Sequence, residues 1–212
     1  MSSTSIPDHS WDGLLPPWEG RDPTASVNRS PYRCSWQDII NRFATSPRRI
    51  NILLGLLGYR ALLREHGITV GFQWLTGSFV ENINREPNDV DVVTFFQVPA
   101  PFSEEDAKAL FNHGHNKKTY FCDHYPVPLS YPASSGADPT EHGAVLVDST
   151  TYWYGLFSHR RDTYAWKGFL RLDLLPAEYD DPARELLVTI KAHFVKQQEL
   201  ALKLAKTENP GP

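Results

Sequence analysis

The sequence predicts an α+β fold in which a β-sheet is flanked by helices and the chain closes on a C-terminal helix. Three observations carry that expectation. Between Ser46 and Gly67, apolar residues recur at spacings of three and four, the period of one amphipathic helix. Thr69–Leu75 and Asp89–Phe96 are short runs of β-branched and aromatic residues bounded by turn signals, which reads as strands. A second helical period fills residues 181–206.

Composition bounds the rest. At 212 residues the chain makes one domain with a modest extension. A hydrophobic content of 41% and six tryptophans suffice for a packed core, which argues against wholesale disorder. The formal net charge of −4 shows no general basic bias and argues against a protein that lives on duplex nucleic acid. Cys34 and Cys122 make neither a disulfide framework nor a C-x-x-C pair, so a reducing cytoplasm is the expected location. No apolar run reaches the roughly 18 residues of a membrane span, so no membrane partner is expected, and the N-terminus lacks the pattern of a signal peptide.

Residues 1–33 are rich in Ser, Pro, Asp and Gly and read as an extended N-terminal arm, packed on the domain through Trp11, Leu14, Leu15 and Trp18. The domain itself spans 34–206, and 207–212 read as a tail. Ser35, with Asp38 three residues on, has the form of a capping box for a short helix that buries Ile39, Ile40 and Phe43. In the long helix Ser46 suits the cap, Pro47 the first position and Gly67 the end. Its stripe is Ile50, Leu53, Leu54, Leu57, Ala61 and Leu62, which leaves Arg48, Arg49, Arg60 and Arg64 as a solvated face.

Pro99 and Pro101 end the second strand. Ser103 with Glu104, Glu105 and Asp106 starts another helix, closed by His113 and His115. Without cysteines nearby, those histidines read as a polar helix end rather than a zinc site. Thr119–Tyr125 has strand composition, with Phe121, Asp123 and Tyr125 on one face. Val127–Gly143 reads as a mobile Pro/Ser/Gly-rich loop over a cleft. Trp153 and Phe157, four apart, share a helix face, and Lys167-Gly168 open a further strand. In the last helix Leu186, Leu187, Ile190, Phe194 and Val195 point inward.

The chemistry concentrates in one stretch. An apolar strand breaks at Gly77-Ser78, and after a polar connection the chain resumes as Asp89-Val90-Asp91-Val92-Val93. Alternation sets Asp89 and Asp91 on one face, about 7 Å apart, with Val90 and Val92 in the core. Two such carboxylates repel unless a positive charge lies between them, and a hard divalent cation with oxygen ligands meets that need. Alone, the pair reads rather as two acids facing water at the end of a half-buried strand; Gly77-Ser78 upstream is what turns the reading toward a cation. Amides opening the turn after Gly77-Ser78 would attract an anion. Arg160, Arg161 and Lys167 are three cations close in sequence, suited to neutralising a triphosphate or to pairing with Asp162 and Asp173 at the surface.

Gly77-Ser78, a polar connection and Asp89-x-Asp91 together resemble the signature of the polymerase-β-like nucleotidyltransferases. With Leu15-Pro16-Pro17, Trp153-x-x-x-Phe157, Arg160-Arg161-Asp162 and Lys167-Gly168, the chain resembles an uncharacterised bacterial group within that superfamily, over most of residues 13–175. The resemblance implies a nucleotidyltransferase-like mixed β-sheet. It also implies that Gly77 and Ser78 hold phosphate oxygens, that Asp89 and Asp91 bind two Mg²⁺ ions, and that a third carboxylate joins them from a later strand. Asp123 is the candidate for that third metal ligand and for taking the acceptor's proton, with Asp148 and Asp173 behind it. Arg160, Arg161 and Lys167 would assist in nucleotide binding, and Trp153 or Tyr154 would stack on the base. The implied activity is Mg²⁺-dependent transfer of a nucleoside monophosphate from an NTP to a hydroxyl of RNA, protein or a small molecule. The same fold also allows a catalytically silent nucleotide- or partner-binding module, such as one component of a toxin–antitoxin or phage-defence pair with a protein partner.

Overall fold

Capping side chains start the first helices where the sequence places them. The computed structural model describes residues 6–208, so residues 1–5 of the expected arm and 209–212 of the expected tail lie outside the described residues. Strand β1 (Tyr32–Cys34) leads into α1 (Trp36–Phe43), where Ser35 and Asp38 satisfy each other's backbone amides. Helix α2 (Pro47–Glu65) follows, with the Ser46 hydroxyl accepting from Arg49 N. The remaining elements are β2 (Gly71–Thr76), β3 (Val90–Gln97), α3 (Glu104–Leu110), α4 (His113–Tyr120), β4 (Cys122–Ser130), α5 (Pro139–Phe157), β5 (Leu170–Leu174) and α6 (Ala177–Glu208).

Among the described residues, five strands form one mixed sheet in the order β1-β5-β2-β3-β4. β2 runs antiparallel to both β3 and β5, whereas the β1/β5 and β3/β4 pairs are parallel. The two-residue alternation divides the core. Leu75, Val90, Val92 and Leu172 pack on one face against Ile39, Ile50, Leu53, Leu57 and Leu187 from α1, α2 and α6. Trp74, Val93, Phe95 and Phe169 occupy the opposite face, where α5 brings Trp153, Tyr154 and Phe157. Full burial of each large side chain contributes on the order of 1.5–3 kcal/mol. Among the described residues no helix is long and apolar enough to cross a membrane.

The arm is pinned by backbone as much as by side chains. Leu14 and Leu15 are buried, Gly168 N donates to Leu15 O at 2.7 Å, and Asn82 N donates to Gly13 O at 2.8 Å. Trp18 packs edge-on against Trp166 with ring centroids 5.0 Å apart, but Trp11 is 98% exposed and anchors nothing.

Several expectations give way. The α2 arginines are not a solvated face: Arg49 and Arg60 are buried. Arg60 donates to Asp180, to Gln73 Oε1 at 2.9 Å and to Asp173 O at 3.0 Å, while Arg64 reaches Asp180 at 2.6 Å. A network spanning α2, α6 and the sheet compensates that buried charge. His113 does not close α3; it opens α4, capped by Asn112, whose side chain accepts from His115 N at 3.0 Å. Thr119 and Tyr120 are therefore helical, and the strand starts at Cys122 and continues to Ser130. Residues 127–143 are not a patternless loop but the end of β4, a 3-10 turn at Ala133–Ser135, and the first turn of α5, capped by Asp138. α6 starts at Ala177, carries Pro182 inside, and continues through 207 and 208, residues expected to be tail. Val195 is 44% exposed rather than turned inward.

Candidate functional site

Sheet pairing gathers the acidic residues. Thr76 at the end of β2 pairs with Asp91 of β3, and Asp91 pairs in register with Asp123 of β4. Paired residues in a sheet share a face, so Asp91 and Asp123 project together beyond the aromatic cluster formed with α5. Asp89 lies just before β3. The connection leading to it is fastened by Arg48, which donates to Pro87 O at 3.2 Å and to Asn88 O and stacks 4.6 Å over the Phe121 ring.

Gly77 follows β2 with φ 80° and ψ −167°, a conformation reserved for glycine. It opens the 3-10 turn Ser78–Val80. A Cβ here would lie 2.0 Å from Asp91 Oδ2, so the turn and the carboxylate touch across the backbone and only glycine fits.

The three carboxylates, the Gly77-Ser78 turn and the cations Arg160, Arg161 and Lys167 all line one cavity of about 540 Å³. Asp148 and Asp173 do not line it: Asp148 is exposed on α5, and Asp173 pairs with Arg33 and Arg171. Trp153 lines the cavity with its ring centroid 4.3 Å from that of Tyr125. Tyr154 turns instead into the aromatic core beside Trp74 and Phe169.

Electrostatics separate the acids. Burial, then the charges of Asp123 and Asp89, push the Asp91 carboxyl up to about 6. Burial works against ionisation of Asp123 too, but Lys117, Tyr125 and His113 together outweigh it and hold that carboxyl below the usual range. Lys117, from α4, lies between two of the acids: its Nζ is 2.9 Å from Asp89 Oδ2 and 2.7 Å from Asp123 Oδ2. Those hydrogen bonds raise its own pKa. His113 Nδ1 stands 3.2 Å from Asp123 Oδ1, within ion-pair range but off hydrogen-bond geometry. That buried oxygen therefore has no donor among the described residues.

The three cations are not equivalent. Lys167 is buried in an ion pair with Glu81 at 2.7 Å, a partner the sequence did not suggest. Arg160 pairs with Asp162 at 2.8 Å. Arg161 is exposed and makes no hydrogen bond or ion pair among the described residues.

The donor set fits a hard divalent cation: carboxylate oxygens, one of them orphaned, and on Asp91 a carboxyl whose charged form burial and its acidic neighbours disfavour and a cation would favour. As they stand the acids do not converge on a point; among the described residues no three His, Cys, Asp or Glu side chains are spaced to hold a metal ion. Lys117 was missed by sequence reasoning because α4 was missed. The signal available was Asn112, a good helix cap three residues before His115.

Fold and site thus define a mixed α+β domain with an acidic cavity where β2 ends and β3 and β4 begin. Residues 7–173 match the family described as Family of unknown function (DUF6932), and the chain belongs to that family. The match runs from the arm into β5 and so includes every residue of the cavity. No match is found among curated proteins or among solved structures.

Proposed function

We propose that the chain is a Mg²⁺-dependent nucleotidyltransferase that moves a nucleoside monophosphate from an NTP to a hydroxyl acceptor. The observation that carries this reading is a shared cavity: residues scattered from 77 to 167, singled out by their chemistry and by the resemblance, line one cavity. Asp89, Asp91 and Asp123 are the residues that would hold Mg²⁺. When bound, the metal would lower the pKa of the acceptor hydroxyl and neutralise charge on the triphosphate.

The chain's own groups do the positioning. The Gly77-Ser78 turn grips terminal phosphate oxygens through its amides and hydroxyl. Arg161, which lines the cavity and makes no hydrogen bond or ion pair among the described residues, pairs with the triphosphate. Lys167 serves chiefly to hold Glu81 and the turn in place. Trp153, backed by Tyr125, offers a ring on which a base can stack. The acceptor oxygen forms a bond to the α-phosphorus while the bond to the pyrophosphate oxygen breaks. The acceptor's proton passes to a carboxylate, and Asp123 Oδ2 can take it only after Lys117 lets go.

One observation favours a second reading, the silent binding module: an ammonium already stands between Asp89 and Asp123. Incubation with α-labelled NTPs, Mg²⁺ and RNA, protein or small-alcohol acceptors separates the two. Transfer of label with release of pyrophosphate supports the enzyme. Mg²⁺-dependent NTP binding without transfer to any acceptor supports the module.

A further inference from the structure

α4 delivers one group to the cavity that the proposed chemistry only has to move aside. The helix is anchored by its Asn112 cap and by Asn116, fully buried, which donates to Leu110 O at 2.6 Å. The next residue, Lys117, therefore starts from a fixed backbone position, while its side chain remains 46% exposed. Its Nζ bridges Asp89 Oδ2 at 2.9 Å and Asp123 Oδ2 at 2.7 Å. Those oxygens come from two different segments, the approach to β3 and the start of β4, and the ammonium is what joins them.

We propose that Lys117 is a built-in competitor for the divalent cation: it bridges Asp89 and Asp123 in the metal-free protein and must swing out before those carboxylates can ligate a metal. The inference rests on the reading of the site given above. An ammonium and a divalent ion seek the same carboxylates, and even a cation on Asp123 Oδ1, which has no donor among the described residues, would lie beside the Nζ held on Oδ2, where the two repel. Lys117 has an exit, because nearly half of its flexible side chain faces solvent in the cavity. Leaving the acids, its charge stays within the cavity that would hold a triphosphate. Phosphate oxygens there give it a second partner. Nucleotide and metal then favour each other's binding, each gaining from the same displacement of Lys117.

The probe is Mn²⁺ alone, titrated into the full chain and followed by the loss of the free-ion electron paramagnetic resonance signal. Wild type, Lys117→Met, Lys117→Arg and Asp91→Asn are compared, with melting temperatures measured alongside. If Lys117 is in place most of the time, its removal tightens Mn²⁺ binding about tenfold or more, since the apparent Kd scales inversely with the open fraction. Lys117→Arg keeps a cation between the acids and gives no such gain. Should Lys117→Met fail to fold, Lys117→Gln, neutral and still able to hydrogen-bond the carboxylates, replaces it with the same expectation. Mn²⁺ binding that Asp91→Asn abolishes but that is equal or weaker in Lys117→Met would overturn this inference and leave the site assignment standing. No Mn²⁺ binding to wild type or to the neutral variant would overturn both.

Discussion

Asp91 and Asp123 stand opposite each other in register on two parallel strands, β3 and β4, with their side chains on the same face of the sheet. Neighbouring strands lie about 4.8 Å apart, so two like charges are held close by the backbone itself. Lys117 compensates Asp123 but makes no contact with Asp91, whose carboxyl rises to about 6, chiefly by burial and then by repulsion from Asp123 and Asp89. A sheet that forces this meeting stores a penalty in the folded state, which a bound cation would relieve.

Asp91→Asn therefore stabilises the metal-free protein. The folded-state pKa lies above the ordinary 3.8, so the folded chain holds this proton more tightly than the unfolded chain does. The penalty is absent below about pH 4, grows as pH rises, and is complete above about pH 6. Urea denaturation with a chelator present should show the variant more stable by on the order of 1–3 kcal/mol at neutral pH, with little difference at acid pH. An equal effect at both would contradict the assignment.

Gly77→Ala is destabilising for two separable reasons. The backbone conformation is strained for any other residue, and the new Cβ would lie 2.0 Å from Asp91 Oδ2. A loss of about 2–4 kcal/mol is expected in chemical denaturation. Adding Asp91→Ala removes the collision but not the strain, so the double variant should recover part of the loss.

Arg161 and Lys167 part company under mutation. Arg161→Ala should leave stability within about 0.5 kcal/mol, because the side chain is exposed and makes no hydrogen bond or ion pair among the described residues, while weakening NTP binding about tenfold or more. Lys167→Met strands Glu81, whose side chain is only 5% exposed, and should lower stability by about 3–5 kcal/mol. Calorimetry and denaturation on both variants check the pair.

Asp180 is the hub of the far side of the sheet, accepting from Trp36, Arg60 and Arg64. Arg60→Ala and Asp180→Ala should each cost about 3–5 kcal/mol, and the double variant less than their sum. Denaturation midpoints test this, and NTP affinity of the folded fraction should not change.

What the sequence made legible was local. Ser35 with Asp38 and Ser103 with Asp106 form the capping boxes their spacing suggests. That Asp89, Asp91 and Gly77 line one cavity was legible because a strand's alternation and a turn glycine are visible in one dimension. Asp123 was reached through the strand composition around it together with the third carboxylate that the resemblance implies. Burial of Arg60 was not, since its partner Asp180 lies 120 residues away and only the packing of α2 on α6 unites them. Lys117 was hidden for a different reason. His113 and His115 have no apolar period to announce a helix, so the short α4 and the ammonium it carries left only Asn112 as a sign.

The most direct measurement is isothermal titration of the four NTPs, with and without Mg²⁺, into wild type and into Asp89→Asn/Asp91→Asn. The expected result is Mg²⁺-dependent heat of binding in the wild type and none in the double variant, which still melts cooperatively. Equal affinity in both proteins, or binding indifferent to Mg²⁺, would contradict the assignment of these carboxylates as the cation site.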